Sequence, residues 1–479
     1  MNFKNKQPTI YEINAPIFLN EIGWREGRSV TFADVPDSDW DTLAELHIDM
    51  IWFMGVWRRS PAARELAYSE PWLQKSLSGI QKKDILGSAY SIHAYVVDEL
   101  LGGNEGLAIA RQKLKERGIG LMLDFVPNHV GLDHHWATEH PEYLLSGTPA
   151  ELKHDHELFV QTAGGIFARG KDPNFPPWSD VLQLNAFSPG LRQATTETLK
   201  TIASMSDAVR CDMAMLMMNN IFKKTWGTRA GVMPPEEYWT GIIRAVRKAS
   251  PDFLFLAEVY WEKEEALLEQ GFDLCYDKKL YDFLLEGSAH DIKKYIQHVA
   301  PFQHQLLRFI ENHDEKRAAH EFSFHKHTAA AAIIATLPGA HLYHEGQLEG
   351  RQVKLPVHLG RREDEPVNEQ IVDFYKRLFL FTQSKAAPHN QWRRLPVKSV
   401  LPGWESRHIL AWTWQTKKGN FAAVINYSPE IAKGYVPFLN KKTIQKTTDL
   451  LRGIVDASSV VHRTGVTLKP RQCVIFELA

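Results

Sequence analysis

Eight short runs that read as β-strands recur along most of the chain, separated by helix-like stretches, and no other feature limits the fold as tightly. They are Ile10 to Leu19, Ile48 to Gly55, Ile119 to Val126, Ala208 to Met213, Phe253 to Tyr260, Phe272 to Tyr276, Leu306 to Ile310 and His341 to His344. Alternating strand and helix patterns point to parallel βα units, and eight strands are the number that closes a (β/α)8 barrel. Leu107 to Arg117 reads as one of the helices, with Asn104 as candidate N-cap and Gly118 as its stop.

The pattern is interrupted twice. About 80 residues separate the third and fourth runs, and within them only Leu191 to Met205 reads as the expected helix. The remainder, His129 to Ser188, is rich in His, Pro, Trp and Gly and reads as a subdomain inserted over the barrel mouth. Beyond a helix at Glu369 to Thr382, short alternating runs at His408 to Trp414, Phe421 to Tyr427, Ser459 to His462 and Gln472 to Leu478 suggest an antiparallel β-sandwich. The expected fold is α/β: a TIM barrel from residues 1–128 and 189–385, an insertion at 129–188 and a C-terminal β-sandwich at 386–479.

Charge and composition exclude several classes of function. With 56 lysines and arginines against 57 aspartates and glutamates the net charge is -1, so no global field recruits nucleic acid or acidic lipid. The N-terminal Met-Asn-Phe-Lys-Asn-Lys-Gln-Pro has no apolar run after its lysines, and no stretch approaches the roughly 20 apolar residues that span a bilayer. Neither a secretory signal nor a membrane anchor is expected. The three cysteines, Cys211, Cys275 and Cys473, are odd in number and lie in apolar strand-like surroundings. Buried free thiols and a cytoplasmic location are therefore the expectation.

The chemistry is concentrated in short acidic motifs at predicted strand ends: Val-Arg-Cys-Asp (209 to 212), Leu-Ala-Glu-Val (256 to 259) and Glu-Asn-His-Asp (311 to 314). Acids at the exits of barrel strands converge on the catalytic end, and such a set suits glycoside chemistry with retention. Arg210 and Asp212 are two apart on a strand, so both face one side, and the arginine keeps the carboxylate ionised as a nucleophile requires. Glu258 follows an apolar run, which should place it in a desolvated pocket that holds its proton until it is donated.

With a fourth motif, Leu-Asp-Phe-Val-Pro-Asn-His (123 to 129), the set resembles the four signature regions of the α-amylase family, glycoside hydrolase family 13, in order and spacing over about two-thirds of the chain. The resemblance implies Asp212 as nucleophile, Glu258 as general acid and base, and Asp314 as the third carboxylate, which favours the distorted transition state. It also implies that His129, Arg210 and His313 contact the reacting sugar. Tyr90, in Gly-Ser-Ala-Tyr-Ser-Ile (87 to 92), would stack on that sugar, and Trp261 would line a neighbouring subsite. Asp124 is expected to be structural, and Asn128 occupies the position that binds calcium in many relatives. In Val-Leu-Gln-Leu-Asn (181 to 185) Gln183 stands where calcium-binding members carry Asp, so no metal or other cofactor is expected. The His320, His325 and His327 cluster reads as a solvated loop and helix start.

Where many α-amylases have Lys-His after the nucleophile, this chain has Met215-Leu216, which suits a shorter substrate or an acceptor other than water. The expected function is a retaining α-glycosidase acting on α-linked glucosides or α-glucans, with no nucleic-acid or membrane partner. The alternative is a glucosyltransferase or phosphorylase using the same intermediate, and beyond that a non-catalytic carbohydrate-binding or scaffold protein.

Overall fold

The computed structural model describes residues 7–382, 391–403, 405–416, 419–437, 439, 443–462 and 465–479. Eight strands close into a parallel barrel: β1 (Thr9–Asn14), β2 (Met50–Met54), β3 (Gly120–Phe125), β4 (Ala208–Cys211), β5 (Leu254–Ala257), β6 (Leu274–Tyr276), β7 (Leu306–Arg308) and β8 (Ala340–His344). Their order is β1-β8-β7-β6-β5-β4-β3-β2. The chain divides into two compact units: Tyr11–Tyr276 with Leu355–Asp364, and Asp277–Lys354 with Glu365–Ala479 and residues 7–10.

In the first unit the barrel strands are buried on both faces, which explains why their sequences are near-continuous apolar runs. The expected first strand, Ile10 to Leu19, is corrected to half its length. It stops at Asn14, whose side chain accepts from the Ile17 amide at 3.4 Å and starts a helix at Ala15–Glu26 with Pro16 in its first turn. A side-chain acceptor followed by proline is a strong helix start, and it overrides the strand propensity of Ile17 and Phe18. Asn104 is corrected too. It lies inside the helix Gly103–Glu116, which is preceded by Gly102 at φ 99°, and its Oδ1 accepts from the Val97 amide instead.

Register sets the depth of the polar groups. Arg210 is level with Asp124 on β3 and with Leu256 on β5. Strand-type hydrogen bonding runs past the strand ends: Asp212 N–H donates to Phe125 O at 2.8 Å and Glu258 N–H to Cys211 O at 3.0 Å. Both acids are thus carried on ordered ladder backbone. In the segment from residue 129 to 188, His129–Gly131 pairs antiparallel with Val181–Gln183, and Phe159–Thr162 with Gly165–Ala168.

The second unit holds β7, β8, a helix at Phe324–Thr336 whose residues from His327 onward are buried, and the helix Glu369–Thr382. His327 departs from the expected solvated cluster. It is buried and bonded to the Tyr375 hydroxyl at 2.9 Å, while His320 and His325 are exposed. The reason is helical periodicity, which turns His327 inward two residues after the exposed His325.

The C-terminal region contains a six-stranded and a three-stranded antiparallel sheet. A shared apolar cluster including Ile409, Val424, Val466, Leu468 and Phe476 fills the space between them as in a β-sandwich. The expected boundary between residues 385 and 386 lies outside the described residues. Cys211, Cys275 and Cys473 are buried free thiols. Among the described residues no helix is long and apolar enough to cross a membrane.

Candidate active site

Arg210 is the hub of the first unit's polar centre. Its side chain is fully buried, with Nη1 2.9 Å from Asp212 Oδ1 and 3.4 Å from Asp124 Oδ1, and Nη2 2.7 Å from Glu258 Oε2. Nε donates to the Tyr276 hydroxyl at 3.3 Å. The rings of Trp52 and Tyr90 each lie 5.3 Å from the guanidinium carbon, and that of Tyr276 lies 5.7 Å away. Burial opposes the charge on Arg210, but Glu258, Tyr276, Tyr90 and Asp212 outweigh it and push its pKa well above the ordinary arginine value. It stays a cation at every working pH.

Asp124 ties neighbouring strands together: Trp52 Nε1 donates to its Oδ2 at 3.1 Å and Trp57 Nε1 to its carbonyl at 2.8 Å. Asp212 and Glu258 are almost fully buried, at 7% and 2% exposure. Three carboxylates thus surround one guanidinium, leaving an excess of negative charge if all are ionised. Such a centre favours a positive charge developing beside it.

Glu258 is held on both oxygens. The Met213 amide donates to Oε2 at 2.7 Å and the Tyr260 hydroxyl to Oε1 at 2.7 Å. Met213 reaches this position with φ 40°, and Trp261 and Glu262, just past Tyr260, have φ 61° and 57°. Left-handed backbone costs a non-glycine residue on the order of 1 to 2 kcal/mol. The loops flanking Glu258 therefore hold strained geometry, as functional sites often do. Trp261 is more than one-third exposed.

Tyr90 is half-buried beside Arg210. His129 bonds to the Tyr90 backbone, and its ring lies 5.0 Å from that of Trp178. Burial lowers its pKa to about 3, so it presents a neutral imidazole. Behind it, Gln183 Nε2 donates to Asn128 O and Asn128 Oδ1, both at 2.9 Å, and to Leu184 O at 3.0 Å.

In the second unit Asn312 Oδ1 accepts from the amides of Asp314 at 2.9 Å and Glu315 at 2.8 Å, a side-chain-capped turn that leaves the Asp314 carboxylate exposed. His313 Nε2 stands 3.0 Å from Asp314 Oδ2. Buried Glu311 anchors the segment, with Arg317 Nη1 at 2.7 Å, the Ala318 amide at 2.7 Å and His344 Nδ1 at 3.3 Å.

Residues 38–188 match the family model described as the α-amylase catalytic domain. The α-amylase MalA of Haloarcula japonica is 23% identical over 328 residues, which cover 66% of this chain and 44% of that protein. α-Amylase 3 of Dictyoglomus thermophilum is 21% identical over 389 residues, 75% of this chain and 68% of that one. The crystal structure of the maltogenic α-amylase AmyB from Thermotoga neapolitana superposes with a TM-score of 0.67 over 100% of this chain and 99% of that one, at 19% identity. Over residues 38–188 the chain is similar to the α-amylase catalytic domain.

The stretch matched by the family model contains Tyr90, Asp124, Asn128 and His129 but ends before Asp212, Glu258 and Asp314. The structure brings Tyr90, Asp124, Arg210, Asp212 and Glu258 together through direct contacts in the first unit, and His313 with Asp314 in the second. Sequence reasoning missed Tyr260, Tyr276 and Trp52 around the acids. Alternation offered a signal for Tyr260, which lies two residues beyond Glu258 in an extended run. Met215 and Leu216 are buried in a short 3-10 turn. Among the described residues no group of three His, Cys, Asp or Glu side chains is arranged to hold a metal ion.

Proposed function

We propose that the chain is a glycoside hydrolase that cleaves α-linked glucosides with retention of configuration, with Asp212 as nucleophile and Glu258 as acid and base. The observation that carries this reading is the Arg210 guanidinium, which contacts both carboxylates through its two terminal nitrogens. One fork spanning two acids suits the ~5 to 5.5 Å separation of a double displacement better than the ~6.5 to 9.5 Å that admits a water between them. Asp212 attacks the anomeric carbon while Glu258 gives its proton to the departing oxygen, and Glu258 then takes a proton from the incoming water. Tyr90 offers a ring face to the sugar, and the neutral His129 offers a hydrogen bond without adding positive charge. Asp314 and His313 would bind sugar hydroxyls, and Trp261 a neighbouring sugar. In this reading residues 129–188 form the insertion beside the cleft.

The residues at Asn128 do not fit a calcium ion. The Gln183 amide already donates to the oxygens a cation would need, and being neutral it supplies no charge to hold one. The relatives named as α-amylases support an oligosaccharide or glucan substrate, and the near-neutral charge gives no support for a nucleic-acid or lipid partner. Three buried unpaired thiols support a reducing cytoplasm.

The burial of Met215 and Leu216 favours a second reading, transfer to a small acceptor or to phosphate, because neither side chain offers hydrogen bonds to sugars beyond the scissile bond. Each such missing contact forgoes roughly 0.5 to 1.5 kcal/mol. Product analysis on maltooligosaccharides, starch, sucrose and trehalose, with and without phosphate, separates the readings. Faster hydrolysis of short substrates than of starch is expected, and internal cleavage of starch from the earliest times would refute the short-substrate preference.

A further inference from the structure

We infer that Tyr260 is a positioning residue that commits Oε1 of Glu258 to proton transfer. The inference deepens the proposed function and rests on its assignment of Glu258 as the acid. The two oxygens of this carboxyl group are not equivalent. Oε2 accepts the Met213 amide at 2.7 Å and faces Arg210 Nη2 at 2.7 Å, so its lone pairs are directed at a backbone donor and a permanent cation. A proton placed there would oppose both. Among the described residues Oε1 has one donor partner, the Tyr260 hydroxyl at 2.7 Å. Its second lone pair is the position left for the acidic proton.

This arrangement gives Tyr260 a definite part in the reaction. When the glycosidic bond breaks, the proton leaves Oε1 for the departing oxygen, the C–O electron pair goes with that oxygen, and Glu258 becomes a carboxylate. Tyr260 keeps its own proton and donates to the charge that forms on Oε1, so its bond strengthens along the first step. Tyr260 is itself held in place. The left-handed residues Trp261 and Glu262 follow it directly, and Tyr260 is half-buried in the segment that follows β5.

Tyr260→Phe removes the hydroxyl and keeps the ring. Against a maltooligosaccharide the variant should lose about tenfold in kcat, the scale of one hydrogen bond to a charged group, with KM little changed. Against α-glucosyl fluoride, whose leaving group needs no proton, kcat should stay within about twofold of wild type. The alkaline limb of the pH profile should move to higher pH, because the carboxylate has lost a donor. An equal loss on both substrates, no loss on either, or an unmoved alkaline limb would overturn the inference. Glu258→Gln, assayed beside it, separates the two levels of the argument. If it abolishes maltooligosaccharide turnover and spares the first-turnover burst of fluoride release, which needs no acid, while Tyr260→Phe behaves as wild type, only the role of Tyr260 falls. If Glu258→Gln turns over the oligosaccharide normally, the assignment of the acid falls and the inference with it.

Discussion

Gln183 Nε2 lies 2.9 Å from both the carbonyl and the side-chain oxygen of Asn128, so an amide donor stands where a cation would gather oxygen ligands. A neutral donor satisfies these oxygens without an ion. Excess EDTA should therefore leave both activity and melting temperature unchanged. Gln183→Asp exchanges the donor for a charged oxygen and should make melting calcium-dependent. A large loss of wild-type activity on chelation, restored by calcium, would refute this account.

Arg210 should matter for stability as well as chemistry. Arg210→Met leaves Asp124, Asp212 and Glu258 buried without their cation, and breaking a buried ion pair in this way costs roughly 3 to 5 kcal/mol. The penalty should be largest near neutral pH and shrink in acid, where the orphaned carboxylates take up protons. Urea unfolding at pH 7 and pH 5 measures it. A variant equal to wild type at pH 7 would mean that the carboxylates do not depend on Arg210.

Five histidines should make the fold acid-labile. Burial lowers His129 and His134 to about 3, and His327, His341 and His358 to about 4. These groups are neutral when folded and take up protons when unfolded below their ordinary value near 6.5, so the unfolded state binds more protons there. Stability is fully present above about pH 6.5 and is lost as pH falls toward the folded values. His341 is far along the chain from the acids and bonds to Leu337 O at 3.1 Å. His341→Gln should reduce the acid slope of unfolding free energy by about one proton, or ~1.4 kcal/mol per pH unit between pH 4.5 and 6. An unchanged slope in urea titrations would show that His341 is not held neutral.

The barrel was legible in the sequence because strands buried on both faces leave apolar runs that no surface element imitates. The end of β1 was not read correctly, although Asn14 followed by Pro16 is a helix start, because Ile17 to Leu19 continues the apolar run. Asp124, Arg210, Asp212 and Glu258 stand in short motifs at strand ends, where register alone brings them together. Tyr260 and the Glu311, Arg317 and His344 network were not legible. Their partners are set by loop backbone such as the left-handed turn at Met213 and by contacts between distant segments, which leave no periodic trace.

The most direct test of the central claim is to trap the glycosyl-enzyme with 5-fluoro-α-glucosyl fluoride and map the labelled peptide by mass spectrometry. The ring fluorine slows both steps by opposing positive charge at the anomeric centre, while the fluoride leaving group lets the first step proceed, so the ester accumulates. The account predicts one fluoroglucosyl adduct, on the peptide carrying Asp212. An adduct on Glu258, or turnover with no covalent adduct and a β-configured first product, would contradict it.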